Sequence, residues 1–194
     1  MNSGLASLFF ASKNYVEKVY AFEPFISTVE IAKGNFELNP HLSKKISISN
    51  SGISNRNAII TVPLFQEGSL EASVNEDFIK HHNFSSIENK ATIIIQLKDI
   101  ITIIDEITEI EKICDNKKLI LKIDCEGEEY NIIERLSESN YFNKISVFLI
   151  EWHHKGPDSI VRTLKENDFK ILLCPITTLD GNIIEEAGMI YAFK

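Results

Sequence analysis

Residues 121–129, LKIDCEGEE, constrain this chain more than any other stretch, because an apolar run stops abruptly in acids and a glycine. A buried parallel strand that delivers chemistry to the rim of an α/β sheet has this pattern. Leu121 and Ile123 read as strand interior, while Asp124 and Glu126 stand two apart and so point to one side where the strand gives out. Gly127 lets the backbone turn into a helix that begins near Glu128. Two more junctions repeat the design: VYAFEP (19–24) ends on Glu23 and is stopped by Pro24, and VFLIEWHH leads from Phe148 and Ile150 into Glu151 and His153. Strands that end in acids or histidine predict a site at the carboxyl edge of one sheet.

Around these junctions, strands alternate with helices, which means a mostly parallel sheet. Leu5, Leu8 and Phe9 predict an opening helix with those residues on its apolar face, before a strand over 17–22. Ser27-Thr28-Val29-Glu30 has the form of a capping box, and Val29, Ala32 and Phe36 line one face of the helix that follows. Residues 45–51 alternate as a strand. From Gly52 to about Lys118 the pattern loosens: β-prone pieces at 58–62 and 91–97 surround a polar stretch holding Asn75, Lys80, His81, His82 and Asn83. This reads as a hairpin insertion, then a helix with Ile103, Ile104, Ile107 and Ile110 inward. A strand over 119–124, a helix presenting Tyr130, Ile133 and Leu136, and a strand over 145–152 come next. Gly156-Pro157 starts a helix with Ile160, Val161 and Leu164 as its core stripe, and strands over 169–174 and 189–194 close the fold around the turn Leu179-Asp180-Gly181-Asn182.

A length of 194 residues suits one domain, expected to span 1–194. No apolar run approaches the roughly 18 residues of a membrane helix, and no signal pattern opens the chain, so the expected address is the cytoplasm. The net charge of −8, with no basic stripe, argues against nucleic acid as partner. Cys114, Cys125 and Cys174 are odd in number and lack CxxC spacing, which indicates neither a disulfide framework nor a zinc knuckle.

The residues YAFEP (20–24), the helix running into Asn35 and Asn39, LKIDCEGEE and LIEWH (149–153) together resemble the FkbM-type methyltransferases, a branch of the S-adenosylmethionine-dependent Rossmann-like enzymes. The likeness covers nearly the whole chain, and the paired FEP and DxEG motifs are more specific than either alone. It implies a three-layer αβα fold with sheet order 3-2-1-4-5-7-6 and strand seven antiparallel. It also implies S-adenosyl-L-methionine as cofactor and O-methylation of a hydroxyl on a sugar, glycan or small-molecule acceptor. The family pattern begins with a strand and a glycine-rich loop, of which Asn2-Ser3-Gly4-Leu5 resembles the tail. The central strand is therefore expected to be missing, with two apolar edges unpaired and weak cofactor binding by the chain as it stands.

Residue by residue, the resemblance assigns roles that simpler readings contest. Glu23 follows Gly4 at close to the roughly 20-residue separation between a Rossmann glycine loop and the acid that binds ribose hydroxyls. The simpler alternative is a solvated strand-end acid, against which Pro24 and the DxEG segment favour the ribose role. Pro24 stands directly behind Glu23 in the same cofactor-binding set, and Ser51 and Gly52 resemble the turn on the cofactor's adenine side, although Ser-Gly is common turn chemistry. Asp124 resembles the family acid nearest the methionine end of the cofactor. Methyl transfer needs a base for the departing hydroxyl proton, and Asp124, Glu126 and His153 can each supply it. Alternatively, His153 is a surface histidine beside His154, with Trp152 tucked inward. Asp124, Glu126, Glu151 and His153 also form a set able to hold magnesium, manganese or zinc. Three functions stay open: the methyltransferase, a non-catalytic module of the same fold with an incomplete cofactor site, and a metal-dependent hydrolase.

Overall fold

A computed structural model describes residues 1–63, 73–75, 92–112, 117–177, 180 and 183–194. The expectations at Lys80, His81, His82, Asn83 and Cys114, and at Leu179, Gly181 and Asn182 of the closing turn, lie outside the described residues. In chain order the elements are α1 (Leu5–Ala11), β1 (Val19–Phe22), α2 (Ile26–Glu37), α3 (Pro40–Ser43), β2 (Ile46–Ser49), β3 (Gly52–Ser54), β4 (Ala58–Pro63) and β5 (Thr92–Asp99). There follow α4 (Ile100–Ile110), β6 (Leu119–Ile123), α5 (Glu129–Ser137), a 3-10 turn (Asn140–Asn143), β7 (Ile145–His153), α6 (Asp158–Glu166), β8 (Lys170–Thr177) and β9 (Ile183–Phe193). These elements fall into two compact units, the first holding α1 to β2 with β4 and most of β5, the second holding α4 onward.

In the first unit β1 and β2 pair in parallel from Val19↔Ile46 to Phe22↔Ser49, joined through α2 as a βαβ crossover. Val29, Ala32 and Phe36 are buried as their spacing requires, and Phe36 and Ala32 cluster with Leu8 of α1. Gly4 enters α1 at φ +82, and a Cβ there would stand 2.7 Å from the Phe36 ring, so both backbone and packing require glycine. Two expectations fail here. Leu5 and Phe9 are 64% and 58% exposed, because this short helix turns Ser7, Leu8 and Ala11 inward, where small side chains let it lie close. The capping box is not formed either: α2 starts at Ile26 after an extended Phe25, which places Ser27 inside the first turn. The Phe25 N–H is instead accepted by Glu23 Oε1 at 3.2 Å. Gly34 of α2 is exposed, with nothing within 4 Å of a built Cβ. Gly34→Ala should therefore raise stability by up to about 1 kcal/mol, seen as a higher melting temperature; a lower one would contradict this reading.

The hairpin insertion is present: β4 and β5 pair antiparallel from Ala58↔Leu97 to Pro63↔Thr92, in a sheet ordered β3-β5-β4.

The second unit is built on a sheet ordered β6-β7-β9-β8, with β6 and β7 parallel and β9 antiparallel to both its neighbours. Strand β7 is laddered on both sides, and Ile145, Phe148 and Ile150 are fully buried. The rings of Phe142, Phe148 and Phe169 meet with centroids 5.2–6.0 Å apart, a geometry that adds about 0.5–1.5 kcal/mol per pair beyond area burial. Opposite Trp152, Gly188 of β9 leaves room for the indole, since a Cβ would stand 2.6 Å from Nε1. Asp99 caps α4 by accepting the Ile101 N–H at 3.0 Å, and Ile103 and Ile104 face inward. Ile110 does not: it is 67% exposed, because the helix ends there and its last turn runs past the core. The two parallel-containing sheets match, in order, the 3-2 and 4-5-7-6 portions of the sheet that the resemblance implies. Among the described helices none is long and apolar enough to cross a membrane.

Candidate active site

In the first unit, Glu23 is buried where β1 gives out. Its Oε2 accepts the Asn2 N–H at 2.8 Å and lies 3.6 Å from the Met1 nitrogen, while Oε1 accepts the Phe25 N–H. A carboxylate has about four lone-pair sites, so these bonds leave capacity for hydroxyl donors. Asn50 Nδ2 donates to the carbonyls of Glu23 and Pro24, each at 3.0 Å, tying the end of β1 to the end of β2. Ser51 and Gly52 are buried beside that junction: the Ser51 and Ser49 hydroxyls are 2.9 Å apart, and a Cβ on Gly52 would meet Leu97 at 2.7 Å and Pro24 at 3.5 Å. The structure thus brings Gly4, Glu23, Pro24, Ser51 and Gly52 into one unit, and shows why both glycines are small.

The acids after β6 and the histidine ending β7 form a second constellation. Glu126 sits at φ +51 and Gly127 at φ +102, a left-handed pair that turns the chain from strand into α5. For a non-glycine residue this costs about 1–2 kcal/mol, and the turn is held from outside. Ser73 Oγ donates to the Glu126 carbonyl at 2.6 Å, and Asn75 Nδ2 donates to the Gly127 carbonyl at 3.1 Å. So aimed, the carboxylates of Asp124 and Glu126 and the imidazole of His153 place their ligand atoms within 4.8 Å of one another. His153 Nε2 is 3.5 Å from Glu126 Oε2 and 3.9 Å from Glu151 Oε1. Asp124 is the exposed member and pairs with Lys122 at 2.6 Å. His153 is buried, and so is Trp152 on the other side of the strand, so the surface-histidine reading does not hold.

Two groups here were not among the residues that motif and spacing singled out for catalysis. Glu129 is fully buried, with Oε2 accepting the Gly127 N–H at 2.8 Å, and with Oε1 accepting the His153 N–H at 2.8 Å and facing Nδ1 at 3.1 Å. Its signal was present, since positions 129, 132, 133 and 136 share one helical face and the other three are core aliphatics. Glu128, which opens the same helix, is buried too, and accepts from Ser54 Oγ at 2.6 Å, Asn75 Nδ2 at 3.0 Å and Asn131 Nδ2 at 3.0 Å.

Crowding of carboxylates around one imidazole sets the electrostatics. Burial pushes the Glu126 carboxyl up, His153 pulls it back, and Asp124, Glu129 and Glu151 add to the rise, for a value of about 7. Burial alone would lower His153, but the Glu129 hydrogen bond and charge, with Glu126 and Glu151, carry it up to about 9. Burial, then the Asp124 charge, raises Glu151. Cys125 lies beside Glu129, and burial followed by that charge holds its thiol well above the usual range, the behaviour of an inert thiol. A pKa raised in the folded state means that the fold holds more protons than the unfolded chain, so stability falls as pH rises through the interval. For Glu126 that interval runs from about 4.5 to about 7, and for His153 from about 6.5 to about 9. Glu126→Gln, which cannot ionise, should therefore be close to neutral at pH 4.5 and stabilising by about 1–3 kcal/mol at pH 8. Urea midpoints between pH 4.5 and 9 test this: curves for the two proteins that run parallel would contradict it.

The arrangement can take a proton at Nε2 and can hold a cation among its carboxylates. The family model of the methyltransferase FkbM domain matches residues 2–171 of the chain. The crystal structure of methyltransferase FkbM from Methylobacillus flagellatus KT is similar with a TM-score of 0.51 at 14% identity, over 91% of this chain and 36% of that one. At that identity the likeness shows the fold, and this chain spans little more than a third of that relative's length. Precorrin-6y C5,15-methyltransferase from Geobacter metallireducens GS-15 is similar with a TM-score of 0.41 at 7% identity, over 91% of this chain and 67% of that one. No curated protein matches the chain.

Proposed function

The chain belongs to the methyltransferase FkbM domain family, and from that premise we propose that it is a single-domain, S-adenosyl-L-methionine-dependent O-methyltransferase of the cytoplasm. Its acceptor is a hydroxyl on a sugar, glycan or other small molecule, with neither nucleic acid nor membrane as partner. The observation that carries this reading is the buried His153 beside Glu126 at the carboxyl ends of two parallel strands, where open α/β sheets place their ligands.

The donor set fits the cofactor, which carries ribose hydroxyls and two cationic groups, a sulfonium and an ammonium. Glu23 receives the ribose hydroxyls, and Gly4, Pro24, Ser51 and Gly52 supply a close-fitting backbone around it. Asp124 receives the cationic methionine end. When bound, the cofactor supplies an electrophilic methyl group on sulfur. His153 takes at Nε2 the proton that the acceptor hydroxyl loses, and Glu126 and Glu151 stabilise the imidazolium so formed. A second reading, a divalent cation held by Asp124, Glu126 and His153, is supported by the closeness of their ligand atoms; turnover unaffected by chelators would exclude it.

The test is a calorimetric titration of the full-length gene product with S-adenosylmethionine, followed by transfer of a labelled methyl group to a panel of sugars and other alcohols. Saturable binding with a base-stable methyl ether as product supports the reading. Absence of both binding and transfer overturns it.

A further inference from the structure

Glu129 makes three contacts that together fix one imidazole. Its Oε1 lies 3.1 Å from His153 Nδ1 and also accepts the His153 backbone N–H at 2.8 Å, while Oε2 accepts the N–H of Gly127 in the left-handed turn at 2.8 Å. The carboxylate is fully buried, so these are exchanges with protein donors and not with water. The His153 carbonyl is held as well, accepting from Tyr130 Oη at 2.5 Å, a hydroxyl that also faces the Gly156 carbonyl at 3.0 Å. Backbone and ring are thereby pinned from both sides, with α5 as the common support.

We infer that Glu129 is a positioning residue: it holds the His153 ring with the proton on Nδ1, so that Nε2 faces Glu126 and Glu151 as the proton-accepting atom. A carboxylate accepts only, so the ring nitrogen that meets it must be the donor, and in the neutral ring the second nitrogen is left with the lone pair. The same carboxylate ties the strained turn carrying Glu126 to the end of β7, which makes the spacing between the Glu126 carboxylate and Nε2 a product of one buried group. The carboxylates of Glu126 and Glu151 stand 3.5 Å and 3.9 Å from Nε2, longer than the 3.1 Å contact of Glu129 at Nδ1. The catalytic consequence rests on the proposed role of His153 as base; the tautomer does not.

The experiment separates the two. Nitrogen-15 spectra of the imidazoles in the full chain, taken above about pH 9 where the ring is neutral and with His153 assigned by its absence in His153→Gln, should show a solvent-protected proton on Nδ1 in the wild type. Glu129→Gln, which can present an amide donor to the ring, should lose that protection. It should also lower kcat by on the order of 10²-fold or more, with cofactor affinity within about twofold. The wild-type spectrum needs no variant to fold, and a neutral His153 ring found with its single proton on Nε2 overturns the inference. Protection at Nδ1 that survives Glu129→Gln overturns it as well. A protected Nδ1 proton that Glu129→Gln removes, in a protein whose His153→Gln variant turns over normally, upholds the positioning by Glu129 and removes His153 as the base.

Discussion

Replacing His153 by alanine should lower kcat for methyl transfer by roughly 10²–10⁴, the range that a positioned general base supplies, with cofactor affinity little changed. Nε2 accepts a proton only when deprotonated, and although burial lowers the imidazole, the hydrogen bond and charge of Glu129, with Glu126 and Glu151, carry it up to about 9. For the wild type, kcat/KM should therefore climb with pH toward about 9, since this ratio reports the free enzyme. A cation bound among the same carboxylates opposes the imidazolium, so the limb seen in kcat should lie at lower pH than the limb in kcat/KM. Both limbs should vanish in His153→Ala. Alanine also leaves the buried Glu129 without its ring partner, so His153→Gln, which keeps a donor there, separates lost chemistry from lost stability. Wild-type rates in both variants would move the base to Glu126 or Asp124. Asp124 is the weaker candidate of the two, being exposed and paired with Lys122.

What the sequence exposed most clearly were the strand ends. An apolar run that terminates in Glu23, in Asp124 or in Glu151 and His153 has few ways to be satisfied other than at the carboxyl edge of a sheet, but the one sheet expected is two: Glu23 follows β1 of the β1-β2 sheet, and the others stand at the ends of β6 and β7 in the sheet ordered β6-β7-β9-β8. The helices were harder, for physical reasons that differ from case to case. Leu5, Leu8 and Phe9 have the spacing of a core face, yet α1 buries only Leu8 of that set and turns the small Ser7 and Ala11 inward beside it. Ser27 and Glu30 have capping spacing, but Pro24 and the extended Phe25 start α2 two residues earlier, and Glu23 takes up the Phe25 N–H. Glu129 was hidden by its type. A glutamate among Ile132, Ile133 and Leu136 reads as surface until three donors converge on it, and those donors come from a turn and from a strand that follows much later in the chain. Propensity and periodicity see only local spacing, and a buried carboxylate is satisfied by nonlocal partners.

Glu23→Ala should weaken binding of S-adenosylmethionine by about 2–4 kcal/mol, or roughly 30-fold to 10³-fold in Kd, if Glu23 accepts both ribose hydroxyls in charge-assisted bonds. The same change should also be felt in the fold, because the carboxylate already accepts the N–H groups of Asn2 and Phe25. Phe25 is buried, and a buried donor left without an acceptor costs about 1–3 kcal/mol, so the melting temperature of Glu23→Ala should fall as well. Glu23→Gln distinguishes the two effects. Its amide oxygen can still accept the Phe25 N–H, which should restore part of the stability, but the neutral group binds hydroxyls less strongly than the carboxylate and presents a donor where Asn2 also donates. Affinity should therefore stay reduced in Glu23→Gln while much of the thermal stability returns. Calorimetry and thermal melts on the same three proteins read both quantities. If affinity tracks melting temperature across the series, Glu23 acts through the fold alone; unchanged affinity in Glu23→Gln would remove its charge from the cofactor site.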